Sequence, residues 1–257
     1  QRHREGMRVL AAMGHGEAGR VGEAVRGAVD DFGDLRQSLH RAGADAGDDP
    51  VELARAADAL VDFSTPTALA AHLAAARDAG CTTFATAKEA CEGAEAVVSM
   101  LPNGAIVKAV YWDDVIGHAP EGAILLDCST IDVATAREVI AAAEGAGYDM
   151  VDAPVSGGIA AANSGSLTFM VGGSEAAFER AKPILEAMGK AVIHAGAAGN
   201  GQAAKICNNM LLGIHMIGTC EAFAMAEKLG LDPQTFYDIS SVSSGQCWSM
   251  TSYCPVP

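Results

Sequence analysis

Apolar runs of strand length alternate with alanine-rich stretches over the first 153 residues of the chain. The apolar runs predicted to form strands are Arg8–Met13, Ala59–Phe63, Ala96–Leu101, Ala123–Asp127 and Asp149–Ala153. The stretches between them that are predicted to be helical are Pro66–Ala79, Ala87–Gly93 and Val133–Ala146. Alternation of this kind is typical of a parallel sheet that is covered by helices on both faces.

From Asn200 onwards the pattern becomes helical. Gly201–Leu229 is predicted to form one long helix. A further helix is predicted to begin at Asp232-Pro233, because Asp caps helix N-termini and Pro suits the first turn. The chain therefore adds a helical region after its predicted sheet.

The first predicted strand runs into a glycine-rich turn, GHGEAG at residues 14–19, which opens a predicted helix. Glycines at this spacing allow a tight turn and let the backbone approach a pyrophosphate, which then contacts the helix N-terminus. The sequence therefore predicts a dinucleotide site, with a ligand-free turn as the alternative. The residues predicted to bind the cofactor here are Gly14, Gly16 and Gly19.

Carboxylates follow near the distance at which a ribose-binding residue is expected, about 20 residues further on. They favour NAD, because a carboxylate can accept a hydrogen bond from its ribose hydroxyl. NADP stays open, because no clear strand precedes these carboxylates. The candidates are Asp30, Asp31 and Asp34.

These patterns predict an α/β protein: a Rossmann-type parallel sheet domain followed by a truncated all-helical second domain. Residues 1–6 form an extension and residues 7–195 the dinucleotide-binding Rossmann domain. Residues 196–257 form a helical domain for substrate binding and dimerisation, which we expect to be incomplete at its C-terminus.

Composition narrows the class of protein. The chain has 257 residues, is 50% hydrophobic and carries a net charge of −15, which argues against disorder and against binding to nucleic acid or anionic membranes. No apolar stretch approaches the ~20 residues of a membrane span. The seven cysteines contain no C-x-x-C pair, so we expect reduced thiols, no metal site and a cytoplasmic protein.

Polar or glycine-containing segments follow the later predicted strands. Leu101-Pro102 and Thr130 come at or just after strand ends, where open parallel sheets bind their ligands. The segment Ser156-Gly157-Gly158 can point consecutive backbone N–H groups, together with a hydroxyl, at a carboxylate. These segments therefore predict a ligand site at one edge of the sheet.

Lys205 and Asn209 lie one turn apart on the long predicted helix, and Gly201, one turn before them, is expected to leave room beneath Lys205. A lysine on a helix is often a solvated surface charge, but this one interrupts an apolar stretch. Burial lowers the pKa of a lysine and makes it useful for acid–base chemistry. Spacing alone leaves the catalytic and the surface interpretations open.

Residues 7–82 resemble the N-terminal part of the dihydrodipicolinate reductases. The resemblance is carried by GEAGRVGEAV and by ALVDFSTPTALAAHLAAARDAG, whose segment Asp62–Pro66 borders the nicotinamide in that family. The catalytic segment of those reductases has no match in this chain. The resemblance therefore implies a cofactor-binding fold and not that reaction.

Residues 83–257 resemble the β-hydroxyacid dehydrogenase family, and within it the 3-hydroxyisobutyrate dehydrogenases. The matching segments, in the order of that family, are VVSMLPNG, LLDCSTID, DAPVSGGIAAANSGSLTFMVGG, GNGQAAKICNNMLLGIHMIGTCEAFAMAEKLGLDP and SSGQCWSMTSYCPVP. The resemblance implies a role for each candidate residue. The cofactor is bordered by Leu101, Pro102 and Thr130, and the substrate carboxylate is held by Ser156, Gly157 and Gly158. The catalytic acid/base is Lys205, and Asn209 positions the substrate or the lysine.

The implied reaction is NAD(P)-dependent oxidation of 3-hydroxyisobutyrate to methylmalonate semialdehyde, a step of valine catabolism. Two alternatives remain: another β-hydroxyacid dehydrogenase or semialdehyde reductase, acting on tartronate semialdehyde, succinic semialdehyde or glyoxylate, and an inactive nucleotide-binding fragment. The expected partner is a small 3-hydroxy acid. The long helix is apolar on many faces beyond Met216, so we also expect a homo-oligomer.

Overall fold

A computed structural model describes residue 84 and residues 86–253 of the chain. The predicted strands Arg8–Met13 and Ala59–Phe63, the predicted helix Pro66–Ala79 and the glycine-rich turn lie outside these residues. The chain divides into two compact units, residues 1–205 and residues 206–257. The domain bounds proposed from the sequence, 7–195 and 196–257, stay a prediction.

One six-stranded sheet forms within the described residues. Its strands are β1 (Ala96–Ser99), β2 (Ile124–Asp127), β3 (Asp149–Asp152), β4 (Val155–Ser156), β5 (Leu167–Gly172) and β6 (Gly189–Gly196). The predicted strands β1, β2 and β3 are confirmed, and they pair in parallel. Strand β5 runs antiparallel to β3 and β4 and parallel to β6, a reversal that the sequence pattern did not predict.

The described helices are α1 (Ala87–Cys91), α2 (Gly104–Val110), α3 (Val133–Gly145), α4 (Gly158–Asn163), α5 (Glu175–Glu186), α6 (Asn200–Lys228), α7 (Pro233–Ser240) and α8 (Trp248–Ser252), and a π-helical turn at Tyr111–Val115 extends α2. The sequence pattern predicted α1, α3, α6 and α7. The predicted cap of α7 is confirmed, because an Asp232 carboxylate oxygen accepts a hydrogen bond from the Thr235 backbone N–H at 2.8 Å.

Side chains alternate across the parallel strands and fill two cores. On one face, Val97, Leu125 and Met150 pack in a cluster with buried residues of α1, α2 and α3. On the other face, Leu126 and Val151 pack in a cluster with buried residues of α5. Helices therefore cover both faces of the sheet, as predicted.

None of the described helices, including the 29-residue α6, has the length and hydropathy that a membrane crossing needs.

Candidate active site

Three buried polar residues stand side by side where the parallel strands end. Ser99 of β1 is in register with Asp127 of β2, which is in register with Asp152 of β3. All three are almost completely buried. Buried polar groups need hydrogen-bond partners, so this row is expected to organise the loops that follow the strands.

Asp127 is the centre of a buried network. Its Oδ1 accepts hydrogen bonds from Ser99 Oγ at 2.9 Å, from Ser129 Oγ at 2.5 Å and from the Ser129 backbone N–H at 3.2 Å. The Tyr111 hydroxyl lies 2.9 Å from Ser99 Oγ. Ser129 Oγ in turn accepts the Leu101 backbone N–H at 2.7 Å, so one serine joins the loops that follow β1 and β2.

Burial raises the pKa of Asp127 to about 6, although the hydrogen bonds from Ser129 and Ser99 oppose the rise. A raised pKa in the folded state stabilises the fold below the pKa of the unfolded chain, and that contribution is lost as pH rises through the folded pKa. The loss amounts to about 3 kcal/mol for a shift of this size. Asp127 is therefore expected to destabilise the fold near neutral pH.

We expect the Asp127→Asn variant to lack this titration while keeping the Oδ1 acceptor. Its free energy of unfolding relative to the original chain should increase by about 2 kcal/mol between pH 4 and pH 7. Urea unfolding followed by circular dichroism at several pH values measures this difference. Asp132→Asn is the control, because hydrogen bonds to Thr135 lower the pKa of Asp132 from its ordinary value of 3.8. Its stability relative to the original chain should change in the opposite direction, mainly below pH 4, and should stay nearly constant between pH 4 and pH 7. A flat difference for Asp127→Asn would contradict the assignment.

Asp152 holds the N-terminus of α6. Its Oδ1 accepts the Gly199 backbone N–H and its Oδ2 accepts the Gln202 backbone N–H, both at 2.8 Å. Burial raises the pKa of Asp152, and the hydrogen bonds from the backbone of Gln202 and Gly199 oppose that rise. A carboxylate at this position complements the positive end of the helix dipole, so the end of β3 fixes where α6 begins.

Gly201 lets α6 approach the sheet closely. A Cβ atom on Gly201 would lie 2.3 Å from the Met170 carbonyl oxygen and 2.7 Å from that of Asp152. The sequence analysis predicted that this glycine leaves room beneath Lys205. The structure gives a different reason, because the space is needed by the sheet backbone.

We expect Gly201→Ala to lower the free energy of unfolding by about 1–3 kcal/mol, since backbone must move to admit the methyl group. Gly213→Ala is the matched control on the same helix, because a Cβ there meets nothing within 4 Å. That control should raise stability by up to about 1 kcal/mol through better helix propensity. Equal effects of the two substitutions in urea unfolding would refute the close-approach argument.

Lys205 lies in the part of α6 that belongs to the first unit, and its side chain is buried, with 8% of its surface exposed. Its Nζ donates a hydrogen bond to the Val155 carbonyl oxygen at 2.6 Å. Burial lowers the pKa of Lys205. The surface-charge interpretation is therefore wrong, and the ammonium group lies against the residue that directly precedes Ser156.

The segment Ser156–Gly158 forms the turn that joins β4 to α4, because Ser156 ends the strand and Gly158 begins the helix. Ser156 is half-buried and the two glycines are exposed. Gly157 and Gly158 have φ angles of +131° and +62°, and a Cβ on Gly157 would lie 2.4 Å from the Ala161 Cβ. These backbone angles favour glycine, and the carboxylate-clamp role that the sequence interpretation assigned to the turn stays a prediction.

The other predicted site residues are distributed as follows. Leu101 is half-buried and Pro102 and Thr130 are exposed, in the two loops that Ser129 joins. Asn209 is exposed on α6, in the unit of residues 206–257, and the role implied for it stays a prediction. The predicted nucleotide-binding glycines Gly14, Gly16 and Gly19 lie outside the described residues.

Sequence reasoning missed a fully buried glutamine on the first turn of α6. The Gln202 Nε2 donates to the Ser129 carbonyl oxygen at 2.7 Å, and its Oε1 accepts the Ile131 backbone N–H at 3.1 Å. The roles of Ser99 and Asp127 as anchors were missed as well. The available signal was a polar residue at the last position of an apolar run, which does not show what that residue contacts.

Comparisons with known proteins agree with this geometry. Residues 50–196 match the NAD binding domain of 6-phosphogluconate dehydrogenase, and residues 199–256 match the NAD-binding family of NADP-dependent 3-hydroxyisobutyrate dehydrogenase. The first match begins inside residues 7–82, whose likeness to dihydrodipicolinate reductases stays a prediction.

Individual relatives point the same way. A probable 3-hydroxyisobutyrate dehydrogenase of Mycobacterium bovis is 47% identical over 192 residues, which cover 75% of this chain and 64% of that protein. An NAD-dependent L-serine dehydrogenase of Pseudomonas aeruginosa is 46% identical over 181 residues, covering 70% and 61%. The chain thus spans just under two thirds of the length of these relatives.

A solved structure matches most of the chain. The 3-hydroxyisobutyrate dehydrogenase of Mycobacterium tuberculosis, determined with L-serine, superposes with a TM-score of 0.74 and 39% identity, covering 98% of this chain and 76% of that one. The resemblance inferred from the sequence for residues 83–257 is therefore confirmed, and the chain belongs to the β-hydroxyacid dehydrogenase family.

Proposed function

We propose that this chain oxidises a small 3-hydroxy acid with NAD or NADP, and that the acid is 3-hydroxyisobutyrate, which becomes methylmalonate semialdehyde. The observation that carries the proposal is the buried Lys205 ammonium group, 2.6 Å from the carbonyl oxygen beside the Ser156–Gly158 turn. A proton-transfer group and a carboxylate clamp are what oxidation of a hydroxy acid requires of the protein.

The described cofactor-side residues fit a nucleotide. Leu101, Pro102 and Thr130 lie in accessible loops beyond the carboxyl ends of parallel strands, where open α/β sheets bind nucleotides. Buried hydrogen bonds through Ser129 hold these loops together. The nicotinamide, when bound, supplies the acceptor for the hydride that leaves the alcohol carbon.

The residues of the chain supply orientation and proton transfer. The Ser156 hydroxyl and the backbone N–H groups of Gly157 and Gly158 bind the substrate carboxylate. Lys205, as a neutral amine, accepts the proton of the substrate hydroxyl while the carbon–oxygen double bond forms. Burial assists this step because it lowers the pKa of Lys205 and so raises the fraction of neutral amine at a given pH.

A rate assay with NAD and with NADP, following absorbance of the reduced nucleotide, tests the proposal on 3-hydroxyisobutyrate. L-Serine is the second candidate substrate, because two of the relatives above are named for it or were determined with it, and it is also a 3-hydroxy acid. Comparison of kcat/KM for the two acids, and of reduction rates for tartronate semialdehyde, succinic semialdehyde and glyoxylate, identifies the substrate. Binding of NADH without turnover on any of them would favour the inactive nucleotide-binding alternative.

We also propose that the chain forms a homo-oligomer through α6. Large apolar side chains are exposed along this helix in the second unit, among them Met210, Ile214 and Ile217, which are 64%, 58% and 67% exposed. Their spacing places them on one helix face. Apolar patches of this kind are typical of protein–protein interfaces.

Light scattering is therefore expected to give a mass above the 26.2 kDa of one chain. The double substitution Ile214→Glu and Ile217→Glu should shift the protein toward monomer, because charges are costly in an apolar interface. Asn208→Glu, at an exposed polar position of the same helix, should leave the mass unchanged. A monomeric original chain would refute the assembly. The cytoplasmic location expected from the sequence stays a prediction that cell fractionation would test.

A further inference from the structure

The side-chain amide of Gln202 joins α6 to the loop that carries Thr130. It donates to the Ser129 carbonyl oxygen at 2.7 Å and accepts the Ile131 backbone N–H at 3.1 Å. These two bonds bracket Thr130, whose own side chain is exposed. The Gln202 backbone N–H is bound to Asp152 at 2.8 Å, so one residue connects α6, the end of β3 and the loop after β2.

A neutral amide of this length meets both needs of the loop at any pH. The Ser129 carbonyl requires a donor and the Ile131 N–H requires an acceptor. A carboxylate has no donor, an aliphatic side chain has neither group, and asparagine is shorter by one methylene. Because Gln202 is fully buried, any of these replacements leaves backbone groups unsatisfied in the protein interior.

Lys205 follows Gln202 on the same continuous helix, less than one turn further on. The helix is rigid over this distance, so the position of the Ser129–Ile131 loop relative to the lysine depends on the glutamine side chain. We infer that Gln202 is a positioning residue that holds the cofactor-side loop around Thr130 in register with Lys205. This inference rests on the proposed function, in which Thr130 borders the nucleotide and Lys205 transfers the proton.

The chain offers a matched structural control at the opposite ends of the strands. The buried Tyr148 hydroxyl donates to the Ala119 carbonyl oxygen at 2.7 Å and accepts the Gly117 backbone N–H at 3.2 Å, in the loop that precedes β2. It therefore makes the same two kinds of bond to a loop remote from the site. Tyr148→Phe removes a loop attachment without touching the proposed active site.

The test compares Gln202→Leu, Gln202→Glu, Tyr148→Phe and the original chain, each at full length. Nucleotide Kd is measured by NADH and NADPH fluorescence titration. KM and kcat are measured with the hydroxy acid as substrate, and stability is measured by thermal unfolding.

Gln202→Leu should raise the nucleotide Kd about tenfold, the size expected from about one lost hydrogen bond. Tyr148→Phe should lower Tm and leave Kd unchanged. In the Gln202→Leu background, Thr130→Ala should weaken nucleotide binding less than it does alone, because the loop is already released.

Gln202→Glu adds a readout that a purely structural role would not produce. A protonated glutamic acid can donate to Ser129 and accept from Ile131, whereas its ionised form cannot donate. Its nucleotide Kd should match that of the original chain at acidic pH and rise as pH increases, and this variant also serves if Gln202→Leu fails to fold. The inference would be overturned, and the proposed function would stand, under the following result. The original chain is active, its Gln202 variants have a lower Tm but an unchanged nucleotide Kd, and the effects of Thr130→Ala and the Gln202 variants on Kd are additive. An original chain that binds neither nucleotide would overturn the proposed function, and the inference with it.

Discussion

Replacing Lys205 by alanine is expected to reduce kcat for the hydroxy acid by about 10²–10⁴-fold, the usual contribution of a positioned acid–base group. Nucleotide binding should persist, because the described cofactor-side residues belong to the loops after β1 and β2 and not to α6. Stopped-flow or steady-state assays with excess nucleotide measure the loss. A variant with the original rate would show that another group transfers the proton.

Two controls separate chemistry from charge. Lys190→Ala removes an exposed lysine of β6 and should leave kcat unchanged. Lys205→Arg keeps a cation that stays protonated, so it should be as inactive as the alanine variant.

The rates of oxidation and reduction should depend on pH in opposite directions. Oxidation needs the neutral amine, so kcat/KM should rise with pH through the pKa of Lys205, which burial lowers from its ordinary value. Reduction needs the ammonium, so its rate should fall over the same range. The two profiles should therefore have opposite slopes, and parallel profiles would contradict the assignment of Lys205 as acid and base.

Gly157→Ala is expected to raise the KM for the hydroxy acid and to lower kcat/KM by about 100-fold, since displacement of a substrate-binding group by about 1 Å can have this effect. The new methyl group would lie 2.4 Å from the Ala161 Cβ, and alanine rarely adopts the φ angle of +131° found there. The turn must therefore move, and its backbone N–H groups move with it. Nucleotide Kd should stay within about twofold, because the turn is not part of the loops after β1 and β2.

Gly147→Ala is the matched control for backbone strain. Gly147 has a φ angle of +88°, a Cβ there meets nothing within 4 Å, and the residue lies in the turn before β3, away from the strand ends that carry the site. It should cost stability, by about 1 kcal/mol, without changing KM. If Gly147→Ala and Gly157→Ala affected kcat/KM equally, general destabilisation would explain both, and the carboxylate clamp would be refuted.

The elements that the pattern predicted are those whose hydrophobic period is plain. Strands β1, β2 and β3 are short apolar runs bounded by polar residues, and α3 and α6 are long enough for helical character to dominate. The antiparallel strand β5 was not predicted, because an alternating run such as Leu167–Gly172 does not indicate the direction of its partner. Direction depends on the path of the chain through β4 and α4, which long-range packing decides.

The sequence alone determined which chemistry was available and roughly where. The helix position of Lys205 and the strand-end positions of Leu101 and Thr130 follow from local spacing, since helical and strand periods are local properties of the backbone. Spacing left the catalytic role of Lys205 open, and the resemblance to the family implied it. The family was also accessible, through segments matched in order.

What these residues contact depends on long-range packing. Burial and the hydrogen bond to Val155 exclude a surface charge at Lys205, and both depend on residues some fifty positions away in the chain. The same holds for Asp152 at the start of α6 and for Gln202 behind Thr130. A hydrogen bond forms wherever the fold brings a donor to an acceptor. The hydrophobic period of a segment does not show which donor and acceptor the fold will bring together.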